Sequence, residues 1–122
     1  MSLNYDVNVK QGQSQNIDII QGSTFTLRAN VKDSDDTVLA LSDHTGFAII
    51  KGNYINTGIA ANFEVDFATP TSGVIELTLR PTGSAAIPVT KAIYELEVIN
   101  NTTSETRKYL RGVATIFPEL IT

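Results

Sequence analysis

Apolar and polar residues alternate with a period of two along most of the chain, and no segment holds a helical period for more than two turns. In Thr24–Lys32, Phe25, Leu27, Ala29 and Val31 share one face, while Thr24, Thr26, Arg28, Asn30 and Lys32 share the other. Before it, Asn16–Ile20 reads as a short edge strand, and Gln21-Gly22-Ser23 turns the chain. After a polar turn at Asp33–Asp36, Val38–Leu41 returns to the core. Phe47–Lys51 is the next strand, bounded by Gly46 and by Gly52-Asn53. Ile55–Ala61, with Gly58 inside it, is a connection or a weak edge strand. Asn62–Phe67 alternates again, Thr69–Gly73 is a turn with Pro and Gly in place, and Val74–Leu79 completes a hairpin. Pro81–Pro88 is a crossover with a helical turn over Ser84–Ile87. Ala92–Ile99 and Arg107–Phe117 are the last strands, joined by the polar loop Asn100–Glu105, and Pro118 ends the ladder because it has no N–H to donate.

Seven to nine short strands, with turn signals about every ten residues, predict an all-β antiparallel sandwich of immunoglobulin-like type. The sandwich spans residues 16–122, and residues 1–15 form an N-terminal segment, an arm or an extra strand. No internal repeat divides the chain. Thr90–Leu96 resembles the sixth-strand motif of immunoglobulin-like domains, with Leu96 standing where the inward cysteine would be. That resemblance makes Tyr94 the tyrosine corner, its hydroxyl bonding to backbone near Ala85–Pro88; the alternative is an ordinary core tyrosine.

Candidate chemistry narrows the picture mainly by exclusion. None of the 122 residues is a cysteine, which removes disulfides, thiolate nucleophiles and the common zinc sites. His44 is the single histidine, and Ser42-Asp43-His44 cannot form a catalytic triad from adjacent residues in a turn. A net charge of −4, with only nine basic residues, does not fit nucleic acid binding. No apolar run approaches the roughly 20 residues that cross a bilayer, and Met1–Asp6 lacks the basic and apolar parts of a signal peptide. Asp33, Asp35 and Asp36 offer oxygen ligands for calcium, but they lack the later Gly and Glu of an EF-hand loop, and a polar hairpin turn accounts for them. Glu64, Asp66, Glu76, Glu95 and Glu97 lie on polar strand faces, where a solvated carboxylate is the simpler reading than a glycosidase pair. The two overlapping sequons at Asn100 and Asn101 read as loop residues. The expectation is no enzyme activity, no metal and no cofactor.

The last strand is the exception to a uniformly bland surface. Gly112 lies inside it, between Leu110 and Ala114 on one face, which points to a bulge or a close approach by another backbone or ring. Tyr109, Val113 and Phe117 project from the opposite face, next to Ile93 and Ile99. Such a row on an outer face predicts a cover, either a subunit contact or the N-terminal segment Tyr5–Val9.

The order of several motifs resembles a family of small structural proteins of tailed phages, including the immunoglobulin-like N-terminal domains of upper baseplate proteins. The matching segments are Ile20–Phe25, Ser72–Leu79, Ala92–Val98 and Leu110–Leu120, and they span about residues 16 to 122. The chain departs from that family at Lys51–Ala61 and lacks a C-terminal receptor-binding extension. The resemblance implies a non-enzymatic virion protein of the baseplate, neck or head surface, assembled in the host cytoplasm. Its partners would be other virion proteins or further copies of itself. A free-standing adhesion or carbohydrate-binding sandwich is the alternative; it calls for aromatic residues at loop tips, where Tyr54 is the main one.

Overall fold

Strands with one apolar face bury it only when two sheets close on each other, and the chain does this. The structure is a computed structural model and describes residues 5–33, 37–52, 59–85, 87 and 91–118. Its strands are β1 (Tyr5–Val9), β2 (Gln13–Ser14), β3 (Ile17–Ile20), β4 (Phe25–Val31), β5 (His44–Lys51), β6 (Ile59–Asn62), β7 (Glu64–Thr69), β8 (Val74–Leu79), β9 (Lys91–Asn100) and β10 (Thr106–Phe117). A single 3-10 turn covers Pro70–Ser72, and a short helix, α1, covers Pro81–Ala85 rather than Ser84–Ile87.

One sheet has the order β1-β4-β8-β7; the other runs β2-β10-β9-β5-β6, with β3 also on β10. In sequence order, β4, β5, β7, β8, β9 and β10 occupy the B, C, D, E, F and G places of an immunoglobulin sandwich, B-E-D in one sheet and C-F-G in the other. The fold is therefore an immunoglobulin-like β-sandwich. Its pairings from β4 onward are antiparallel, as expected, but β1 runs parallel to β4, and β2 and β3 run parallel to β10. Geometry explains the difference. The N-terminal segment reverses once between two oppositely directed edges, so it ends up parallel to both.

The inner faces follow the alternation. Phe25, Leu27, Ala29 and Val31 of β4 meet Ile75, Leu77 and Leu79 of β8 and, across the sandwich, Ala92, Tyr94, Leu96 and Val98 of β9; all are buried. Each fully buried Leu or Ile contributes about 1.5–3 kcal/mol relative to exposure. Val9, Ile17 and Ile19 add to this core from the N-terminal segment. Phe63 sits between β6 and β7, buried, and its N–H bonds the Ala48 carbonyl at 2.9 Å, tying the chain to β5 where it passes between the sheets. Val38–Leu41 lies along the end of β4 through the bridge Lys32–Val38 and the Leu39 N–H bond to the Val31 carbonyl at 3.1 Å; Leu41 is buried while Val38 is exposed.

Candidate interaction surface

On β10, Leu110, Ala114 and Ile116 point inward, while Arg111, Val113 and Phe117 point out. Simple alternation would place Tyr109 outside with Val113. It lies inside instead, buried to 3% exposure. The cause is an irregularity of register between Lys108 and Leu110, which lets Tyr109 and Leu110 both face the core. Burial pushes the Tyr109 phenol above its ordinary pKa. Tyr109 therefore leaves the expected surface row. Ile93 and Ile99 do face outward from β9, half-buried: Ile93 sits opposite Val113, and Ile99 opposite Thr106. Glu95 and Glu97 lie between them and share Lys108 at 2.8 and 3.1 Å, so charge interrupts the apolar row.

Gly112 is where another backbone comes closest. A Cβ there would lie 2.3 Å from the Gln15 carbonyl oxygen, so no larger residue fits without moving the strand. Gln15 N–H donates to the Arg111 carbonyl at 2.9 Å, and Val113 N–H donates to Asn16 Oδ1 at 3.1 Å. The Tyr94 hydroxyl donates to that same Gln15 carbonyl. Tyr94 thus secures the link between β2 and β3; of the stretch where a tyrosine corner was expected, Ala86 and Pro88 lie outside the described residues. Its place opposite Gly112 aims the phenol across the bare glycine at the carbonyl lying over it. Burial, with a smaller contribution from Tyr5, holds the Tyr94 phenol well above its ordinary range. An aromatic series, Tyr5–Phe25–Phe63–Tyr94, with ring centroids 5.7, 5.9 and 6.3 Å apart, crosses the core to it.

Beyond Gly112, β10 ends beside β3, with Phe117 in register with Ile20. Both are exposed, at 47% and 56%, and Val113 is exposed at 39%. Ile20 and Phe117 border a groove of about 520 Å³ that is also lined by Tyr5, Asp18, Ser23, Thr24 and Phe25. Tyr5 closes its inner side, where its hydroxyl accepts the Asp18 N–H at 2.9 Å. The strand Tyr5–Val9 belongs to the edge of the other sheet and leaves Val113 and Phe117 uncovered. The turn after Ile20 is held by a buried Ser84: its hydroxyl accepts from Gly22 N–H at 3.0 Å and donates to the Ser23 carbonyl at 2.8 Å, while Gln21 Nε2 donates to Ile87 O at 2.8 Å. Sequence reasoning missed Ile20, although two apolar residues in succession at Ile19-Ile20 put one of them on the outer face. Nothing in the local pattern marked Ser84.

At the opposite end the loops are joined by polar contacts, although Val38, bridged to Lys32, and Phe47, three residues into β5, are exposed at 46% and 53%. Asn101 N–H donates to the Asp43 carbonyl at 2.9 Å, Thr102 Oγ1 to Asp43 Oδ2 at 2.7 Å, and Thr45 Oγ1 to Asn101 Oδ1 at 3.0 Å. Asn100 Oδ1 accepts from Thr102 N–H at 2.9 Å, so both sequon asparagines have structural partners here. His44 Nδ1 lies 2.8 Å from the Ser42 carbonyl at the start of β5. Glu76 pairs with Arg28 and Glu64 with Arg80, each at 2.8 Å, on the outer face of the first sheet. Asp33 Oδ1 accepts the Thr37 N–H at 3.0 Å; Asp35, Asp36 and Tyr54 lie outside the described residues. Among the described residues, no group of three His, Cys, Asp or Glu side chains is placed to hold a metal ion, and no helix is long and apolar enough to cross a membrane.

No protein-family model matches the chain, and neither does any curated protein. Among solved structures, it is similar to the crystal structure of a cysteine protease inhibitor from Entamoeba histolytica, with a TM-score of 0.43 and 9% sequence identity over 92% of this chain and 95% of that one. A likeness of that degree carries nothing about activity.

Proposed function

We propose that the chain is a non-catalytic assembly module that works through protein–protein contact. The observation that carries this reading is the pair Ile20 and Phe117, large apolar side chains exposed in register on β3 and β10 and lining an open groove, with Val113 exposed further along β10. Covering apolar groups like these stabilises by about 25 cal/mol per Å² removed from water. The resemblance of the motif order to that of phage baseplate proteins is what suggests a place in a tailed-phage particle, with virion proteins or further copies of the chain as partners. Four of the five carboxylates offered for glycoside chemistry, Glu64, Glu76, Glu95 and Glu97, are engaged with Arg80, Arg28 and Lys108 on solvated faces, which favours contact over catalysis.

Replacing Val113 and Phe117 together by Ser should leave the fold intact, because both side chains already face solvent. The mass in solution should fall from that of an oligomer to that of one chain. A wild-type protein that stays monomeric at high concentration, or a variant of unchanged mass, would remove the support for this reading.

A further inference from the structure

The two apolar residues that meet in register at the groove, Ile20 and Phe117, are the last residues of β3 and β10. Strand ends open at little cost in free energy, and β3 is four residues long and pairs in parallel. Beyond the strands, however, both backbones are tied to the turn that follows Ile20. Gln21 N–H donates to the Phe117 carbonyl at 2.9 Å, and Ser23 N–H and Oγ donate to the Ile20 carbonyl at 3.2 and 2.6 Å. That turn is anchored in its turn on the crossover between β8 and β9. Ser84 Oγ donates to the Ser23 carbonyl at 2.8 Å and accepts the Gly22 N–H at 3.0 Å, and Gln21 Nε2 donates to the Ile87 carbonyl at 2.8 Å. Ser84 is fully buried, and Thr26 is the other buried polar side chain among the described residues. A hydroxyl in the core destabilises unless its bonds are made. The Pro81 carbonyl, 3.2 Å away in α1, offers Ser84 a local acceptor, yet the shorter bond goes to Ser23, 61 positions earlier in the chain.

We infer that Ser84 is a positioning residue for the contact: through Gly22 and Ser23 it fixes the turn that sets Ile20 beside Phe117 and supplies the groove wall at Ser23 and Thr24. The inference rests on the contact reading above and names what holds that surface in its binding shape. Side chains already held in place lose less conformational entropy when a partner covers them, so a rim fixed in advance associates more tightly than a loose one. Ser84 lies in the core and meets no partner itself. Ser84→Ala takes from the Ser23 carbonyl and the Gly22 N–H the group that ties them to α1, and leaves the end of β3 held by its strand pairing and by Gln21. A change at a site no partner reaches should therefore weaken association.

The test compares self-association of the full wild-type chain, Ser84→Ala and Ile75→Val by sedimentation over a range of concentration, with urea unfolding of each. Ile75 is fully buried on β8 in the other sheet, so its truncation lowers stability without touching the turn. The dissociation constant of Ser84→Ala should rise by about three- to tenfold, while Ile75→Val should associate as the wild type does. The inference is overturned if Ser84→Ala, still folded, associates as tightly as the wild type. It is also overturned if Ile75→Val weakens association to the same extent, since lost stability would then account for both. Should Ser84→Ala not fold, Gln21→Met is measured in its place with the same two outcomes; it removes the bond to Ile87 from a half-buried side chain. The wild type separates the two failures: association that Ser84→Ala leaves unchanged ends this inference alone, and a wild type that stays a single chain ends the contact reading with it.

Discussion

The two ends of the sandwich solve the same problem differently. At one end, the turn at Asp43 and the loop Asn100–Glu105 are bound to each other through Asp43, Asn101, Thr102 and Thr45, so their polar groups find partners within the chain. At the other, Ile20 and Phe117 remain exposed beside a groove of about 520 Å³. A hydrogen-bonded loop pair gains little from a partner, since each bond made to it replaces one already formed. Uncovered apolar surface gains in proportion to the area removed from water. That asymmetry is the ground on which we propose contact at the end that carries Phe117.

The strongest way to break the comparison is to weaken what both ends share. Leu96 is fully buried midway along β9, between Leu110 and Ala48. Leu96→Ala should cost about 2–5 kcal/mol, read by urea unfolding, and should speed amide exchange at both ends alike. A loss below about 1 kcal/mol would mean that the inner face of β9 is misassigned.

A smaller change should act on one end alone. Gly112→Ala puts a methyl group against the Gln15 carbonyl and should cost about 1–3 kcal/mol as overpacking. Amides of Ile17–Ile20 should exchange faster, while those of Thr102 and Thr103 keep their protection. Equal acceleration at both ends would contradict the separation.

The smallest effect is in pH. Tyr94 ionises near 10.0 in the unfolded chain and well above that when folded, and Tyr109 is raised in the same direction. Above pH 10 the unfolded chain holds fewer protons than the folded one, so stability falls as pH rises through that range and is level below it. Tyr94→Phe removes one of these groups together with its bond to Gln15. It should lower stability at neutral pH by about 1 kcal/mol and make the alkaline decline shallower. An unchanged alkaline slope would show that Tyr94 titrates no differently when folded.

Much of the fold was legible because a strand's period of two leaves little choice of face. Phe25–Val31, Val74–Leu79 and Ala92–Val98 point inward as their alternation requires. Tyr109 was not legible. One irregularity shifts the parity of every residue before it on β10, and neither Lys108 nor Leu110 signals it. Gly112 announced a close approach but not its partner, because Gln15 is 97 positions earlier in the chain and arrives there only through the crossing of the N-terminal segment. For the same reason the bond from the Tyr94 hydroxyl to Gln15 was not legible. Contacts between neighbouring strands are written in periodicity; contacts made by a segment that changes sheets are not.

The most direct test of contact at the apolar end is the solution mass of three proteins measured side by side over a range of concentration. They are the wild type, the pair Val113→Ser with Phe117→Ser, and the pair Asp43→Ala with Thr102→Ala. The account predicts that the wild type and the polar-end variant associate to the same extent, while the apolar-end variant stays a single chain. Association lost in the polar-end variant and kept in the apolar-end variant would contradict it.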